Sequence, residues 1–159
     1  MRAVPRHRFI TPVGQAHDEG VRLIDREADP DDGWDAVYSD TGIVTQLDDG
    51  DTDVRRAAGD YTSSASQPSM VADLLRWLDP EPGHRVLEVG TGWTCVLLSH
   101  LVGEGGVTSV EVDPAVAGQA AGNLREAGVH PHLIVGDGAA GCPERAPFDR
   151  VHVTCGVRV

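Results

Sequence analysis

Arg85-Val-Leu-Glu-Val-Gly-Thr-Gly-Trp-Thr-Cys-Val-Leu-Leu-Ser-His-Leu-Val-Gly-Glu-Gly-Gly-Val-Thr-Ser-Val-Glu-Val-Asp113 reads as strand, glycine turn, helix, glycine turn, strand. Arg85–Val89 is a short apolar strand, and Gly90 and Gly92 end it. The spacing predicts a helix over Trp93–Val102, with Val96, Leu97 and Leu101 on one face. Gly103, Gly105 and Gly106 stop that helix, and Val107–Val112 forms the next strand. Each strand carries an acid close to its end: Glu88 just before the first glycine, and Glu111 near the close of the second strand.

The alternation continues outward from this stretch. Asp113-Pro114 is a helix start, with Asp as N-cap and Pro at the first position. Val116, Ala120, Leu124 and Ala127 are expected to face the sheet, and Gly128 stops the helix. His132–Val135 is a third strand and Asp149–Thr154 a fourth. Before this region, a helix is expected from Pro68 to Leu78. Val71, Leu74, Leu75 and Leu78 recur at helical spacing there, and Asp79-Pro80 ends it. Strands separated by helices of this length imply a parallel, doubly wound α/β sheet with right-handed crossovers.

The N-terminal part is less periodic. Residues 1–16 are basic, and Pro5 and Pro12 limit helix there. Residues 17–60 hold 14 Asp/Glu against 4 Arg, so most of the net charge of −12 lies in this segment. It reads either as a solvated, partly flexible acidic segment or as a docking surface for a basic peptide. Asp35–Tyr38 and Gly42–Gln46 are candidate strands, and Tyr61–Ser69 is a small-residue loop. The expected division is an N-terminal, substrate-side segment over 1–67 and a cofactor domain over 68–159.

All 13 basic residues are Arg, and with this negative balance a phosphate backbone would be repelled, which argues against nucleic acid as a partner. No apolar run approaches a membrane span and no signal peptide is apparent. The three cysteines, Cys95, Cys142 and Cys155, show no metal-type spacing and read as reduced thiols, which fits a cytoplasmic location. His130-Pro-His132 lacks a third ligand, so no metal is expected. His152 reads as a packed strand residue, and Trp34 and Trp77 as core or loop anchors.

In a parallel sheet, ligands lie beyond the carboxyl ends of the strands. Glu88, Glu111 and Asp137 fall on that edge. Glu111 follows Gly90 by 21 residues, the interval at which an acid accepts hydrogen bonds from ribose hydroxyls. Asp137, in Gly-Asp-Gly138, closes the third strand, where an adenine amino group would donate to it. Gly90 and Gly92 allow backbone amides to approach a ligand carboxylate or phosphate near a helix start. A nicotinamide dinucleotide would need a third glycine where Cys95 stands. It would also leave Glu88 without a task, whereas the ammonium and sulfonium of S-adenosylmethionine suit that acid. The cofactor reading is therefore S-adenosyl-L-methionine, with NAD a distant alternative.

Several short motifs, in order, carry a family resemblance. They are Ala3-Val-Pro-Arg-His-Arg-Phe-Ile-Thr-Pro12, Tyr38-Ser-Asp40, Ile43-Val-Thr-Gln46, Thr62-Ser-Ser-Ala-Ser-Gln-Pro-Ser-Met70, Val86-Leu-Glu-Val-Gly-Thr-Gly92, Asp137-Gly138 and Ala146-Pro-Phe-Asp-Arg-Val151. The chain resembles the protein-L-isoaspartate O-methyltransferases, and most of all their actinobacterial relatives in ribosomal-peptide maturation. The resemblance implies a Rossmann-like class I methyltransferase fold. It also implies methyl transfer from S-adenosylmethionine to an aspartate or isoaspartate carboxylate of a protein or peptide. Glu88, Gly90, Gly92, Glu111, Asp137 and Gly138 would bind cofactor. Ser66 would hold the substrate carboxylate at the catalytic position, with Gln67 and Pro68 shaping the loop. Read without the resemblance, the same serine-rich run is a helix N-terminus with a serine cap.

Two departures from the family pattern stand out. The family's Gly-Thr-Gly-Thr-Gly motif with a following aromatic is here Gly90-Thr-Gly92 directly before Trp93. Either a Thr-Gly pair is lost or Thr94 replaces the third glycine, and the placement of Trp93 and Leu97-Leu98 favours loss. The sequence also stops at Val159, so the sheet is expected to lack its C-terminal strands, with Val151 and Val153 partly uncovered. The alternative function is accordingly an inactive, truncated remnant that binds cofactor weakly or binds a protein partner.

Overall fold

The computed structural model describes residues 4–56 and 58–156. The chain divides into two compact units, Met1–Asp73 and Leu74–Val159.

The first unit is a four-stranded antiparallel sheet in the order β2-β1-β3-β4, with β1 at Val13–His17, β2 at Val21–Asp25, β3 at Gly42–Leu47 and β4 at Tyr61–Ala65. A tight hairpin pairs His17 with Val21 and Val13 with Asp25. Helix α1 (Pro30–Tyr38) lies between β2 and β3 in sequence. Its Ala36 and Val37 pack with Ile10, Ala16, Ile24 and Ile43 into one buried cluster. Gly14 is dictated by close approach, because a Cβ there would come within 2.8 Å of Ile43 Cγ2 and 2.9 Å of the Val44 carbonyl.

This unit corrects four sequence expectations. Asp35–Tyr38 is helical rather than extended. Asp29 accepts the Asp32 amide at 3.3 Å and Pro30 occupies the first turn, so the same Asp-Pro signal that starts the later helix starts this one. Tyr61–Ala65 is a strand, paired with β3 from Ile43↔Ala65 to Leu47↔Tyr61 with local irregularities, and not a loop. The acidic segment is folded into β2, α1 and β3, yet none of its acids is buried. Trp34 is 42% exposed, stacked on Tyr38 and approached by Arg26, so it anchors no core.

Helix α2 (Pro68–Leu78) matches its expected bounds and ends before Asp79, which takes a positive φ. Trp77 on this helix is 72% exposed rather than an anchor.

The second unit is a parallel sheet in the order β7-β6-β5-β8, with β5 at Val86–Val89, β6 at Val107–Glu111, β7 at His132–Val135 and β8 at Arg150–Val153. This is the doubly wound arrangement expected from the alternation. Helix α3 (Trp93–Val102) has the expected bounds and is buried on most sides. Cys95, Leu98 and Val102 recur at i, i+3, i+7 among its buried residues, while Leu101 falls on another flank and is 44% exposed, against expectation. Helix α4 (Pro114–Glu126) is capped by Asp113, which accepts the Ala115 and Val116 amides at 2.7 and 3.2 Å. Its buried face is Ala117, Ala120 and Leu124, whereas Val116 and Ala127 are half-buried. Leu87, Val110 and Cys142 form a further cluster with Ile134 and Phe148. On β8, Val151 and Val153 are 56% and 40% exposed and His152 is 4% exposed, so His152 is packed as expected.

Candidate cofactor edge and substrate loop

Glu111 is the centre of the carboxyl edge. Its Oε2 accepts the Thr91 amide at 3.2 Å and its Oε1 accepts the Asp113 amide at 3.1 Å. One carboxylate thus ties the glycine turn after β5 to the start of α4. It is half-buried.

The turn itself is Gly90-Thr91-Gly92, and α3 begins at once with Trp93. Gly90 has φ +92°, and a Cβ there would stand 2.8 Å from Thr154 Oγ1. Both facts require glycine. Gly92 stands at the N-cap of α3 and offers no side-chain cap, and the positive end of the helix dipole favours an anion there. Gly138 closes the edge from the other side. A Cβ there would lie 2.2 Å from Val89 Cγ1, so the loop after β7 rests on the end of β5. Asp137 is exposed, and its Oδ1 accepts the Ala139 amide at 2.9 Å.

Glu88 occupies a different environment. It is wholly buried, beneath the turn rather than on its surface. Ser109 Oγ donates to its Oε2 at 2.7 Å. Its other oxygen, Oε1, and Thr91 Oγ1 are buried and make no hydrogen bond of normal geometry among the described residues, though both side chains interact with the Cys95 thiol. Burial pushes the Glu88 carboxyl up to about 8, with the nearby Glu111 charge adding to the rise and the Ser109 bond opposing it. Burial and the Glu88 charge also push the Cys95 thiol up, so Cys95 is no activated nucleophile.

Ser66, Gln67 and Pro68 lie in the first unit at the junction of β4 and α2. The Ser66 carbonyl accepts Arg6 Nη2 at 2.8 Å. Arg6 is only 3% exposed, and it also donates to the carbonyls of Val37 at 2.7 Å, Thr41 at 2.8 Å and Ala65 at 3.2 Å. Burial lowers its guanidinium to about 10, and Asp40 works against that fall. The capping role at α2 belongs to Asp40. Its Oδ1 accepts the Ser69 amide at 2.8 Å and its Oδ2 accepts Gln67 Nε2 at 3.1 Å. These bonds, with the Arg6 charge, hold the Asp40 carboxyl below its usual range. Arg6 and Asp40 are the supports that sequence reasoning left without a role. Their only signal was membership of the Val-Pro-Arg and Tyr-Ser-Asp segments.

The model of the protein-L-isoaspartate(D-aspartate) O-methyltransferase family matches residues 36–159. The chain belongs to that family. The protein-L-isoaspartate O-methyltransferase of Opitutus terrae is 34% identical over 159 residues, covering 98% of this chain and 53% of that protein. Its Thermotoga maritima counterpart is 38% identical over 125 residues, covering 76% of this chain and 36% of the relative. That of Pyrococcus horikoshii is 45% identical over 94 residues, or 57% of this chain and 42% of the relative. This family member therefore spans about half, or less, of the length of the curated relatives it matches. A solved protein-L-isoaspartate O-methyltransferase superposes on 98% of this chain and 43% of its own, with TM-score 0.70 and 30% identity. That likeness establishes the Rossmann-like class I methyltransferase fold expected from the sequence. None of the helices among the described residues is long and apolar enough to cross a membrane.

Proposed function

We propose that the chain carries out S-adenosylmethionine-dependent methylation of a carboxylate, on an aspartyl or isoaspartyl residue of a protein or peptide, in the cytoplasm. The observation that carries this reading is the Glu111 carboxylate at the end of β6, bonded to the glycine turn through Thr91 N. The residues present fit the cofactor. Glu111 offers acceptors to ribose hydroxyls, and Asp137 offers one to an adenine amino group. Gly90 and Gly92 let the backbone of the turn come close to the ligand carboxylate. Glu88 Oε1 and Thr91 Oγ1 supply buried polar atoms beneath the turn.

When bound, S-adenosylmethionine supplies a methyl group made electrophilic by its sulfonium. The chain's own task is to bind, orient and exclude water. The acceptor carboxylate is already anionic at pH 7, so no general base is needed. Ser66 holds the acceptor carboxylate in this reading, with Gln67 and Pro68 fixing the loop. Arg6 and Asp40 position that loop from behind, through the Ser66 carbonyl and the Ser69 amide.

Within this class, the acceptor is an aspartate of a ribosomal peptide or an isoaspartate of a damaged protein. Incubation with methyl-labelled S-adenosylmethionine and matched aspartyl and isoaspartyl peptides separates them. Base-labile methyl ester on either peptide supports the proposal, and the preferred peptide names the substrate. Cofactor binding without ester formation would favour the non-catalytic remnant instead.

A further inference from the structure

His132, Cys142 and Glu144 each offer a ligand atom, and these three atoms lie within 4.8 Å of one another. The group is assembled from distant parts of the chain. His132 is the first residue of β7 and pairs in register with Thr108 of β6. Cys142 and Glu144 come from the β7–β8 crossover, residues 136–149, which contains two short 3₁₀ turns and no α-helix. This crossover is pinned beside the same strand row. Arg145 Nε donates to Thr108 Oγ1 at 2.8 Å and its Nη2 to the Gly105 carbonyl at 3.1 Å. Cys142 is 4% exposed and packs with Leu87 and Val110, while His132 and Glu144 are exposed. A backbone amide and the neighbouring Cys142 thiol, with smaller contributions from His132 and Arg145, hold the Glu144 carboxyl below its usual range.

We propose that His132, Cys142 and Glu144 form a binding site for a divalent zinc-type cation, which fastens the helix-free crossover to the edge strand. One thiolate, one imidazole and one carboxylate, with a water in the fourth position, suit tetrahedral Zn²⁺ better than a hard cation. Thiolate and carboxylate together neutralise the dication, and the thiol proton leaves to solvent on binding. Zinc–ligand bonds of about 2.0–2.3 Å require the ligand atoms to draw somewhat closer, which the exposed His132 and Glu144 side chains allow. The site lies at the amino edge of the sheet, where β7 begins, whereas Glu111 and Asp137 stand at the carboxyl edge. Its role is structural and independent of the proposed methyl transfer.

The test is cobalt(II) titration of the reduced full chain carrying Cys155→Ser, which removes the exposed thiol. The expected result is a thiolate-to-cobalt absorption band in the near ultraviolet that saturates at one equivalent and is displaced by zinc. Zinc should also raise the unfolding midpoint by several degrees. Cys142→Ser should abolish the band, and His132→Gln, a change at an exposed position, should weaken binding at least about tenfold. Absence of the band in the folded chain, or a band unchanged by either variant, overturns the proposal.

Discussion

Glu88 and Glu111 show how one residue type takes two tasks. Glu88 pairs in register with Ser109, and Glu111 stands two residues beyond Ser109 on the same face of the sheet. Glu111 is half-buried and engaged by two amides, whereas Glu88 is enclosed. Removing Glu111 should remove ribose acceptors. Glu111→Ala is expected to weaken S-adenosylhomocysteine binding by roughly 10–100-fold in calorimetry, the range for a charge-assisted hydrogen bond. Unchanged affinity would take Glu111 out of the site. Glu88 predicts a pH dependence. Its folded value of about 8 lies above the ordinary 4.5, so the folded state keeps a proton that the unfolded state has shed. The resulting stabilisation is full below the unfolded value and is lost as pH rises from there through about 8. Glu88→Gln carries no such charge. Between pH 5 and 8 its denaturant stability should decline less than that of the wild type, by up to roughly 4 kcal/mol. Parallel pH profiles would contradict an enclosed, protonated Glu88.

Among the elements, the β4–α2 junction depends on two side chains from elsewhere. Arg6 satisfies four backbone carbonyls, so Arg6→Ala should cost at least about 3 kcal/mol in chemical denaturation and displace the Ser66 loop. A loss below 1 kcal/mol would mean that those carbonyls find water at little cost. The glycine turn is an element-level question too. Inserting Thr-Gly between Gly92 and Trp93 should tighten S-adenosylhomocysteine binding if the short turn is a loss. Weaker or equal binding would make it a working variant. The elements differ in how legible they were. The bounds of α2, α3 and β7 could be read directly because glycine or proline brackets each of them: Pro68 and Pro80, Gly92 and Gly103, Pro131 and Gly136. Strand β2 was hidden because Val21 and Leu23 are about half exposed while Ile24 is fully buried, so its apolar residues straddle both faces. Helix α1 was hidden because its core contribution is Gly33, Ala36 and Val37 within an acidic run.

At the scale of the molecule, the parallel unit follows from one stretch of sequence. The antiparallel unit depends on pairings between segments that carry no local signal. The same distinction runs through the candidate site. Glu111, Asp137 and the glycines announce themselves by ending strands. Arg6 and Asp40 act on backbone groups some 30 residues or more away, which spacing cannot reveal. Cys142 and Glu144 reach His132 only through the crossover. The central claim is that the carboxyl edge of the parallel sheet is an S-adenosylmethionine site. Calorimetric titration of the folded chain with S-adenosylmethionine, S-adenosylhomocysteine and NAD tests it most directly. The account predicts one equivalent of S-adenosylmethionine or S-adenosylhomocysteine bound, both weakened by Glu111→Ala, and no heat from NAD. A folded wild-type chain that binds neither adenosyl ligand, or that prefers NAD, would contradict it.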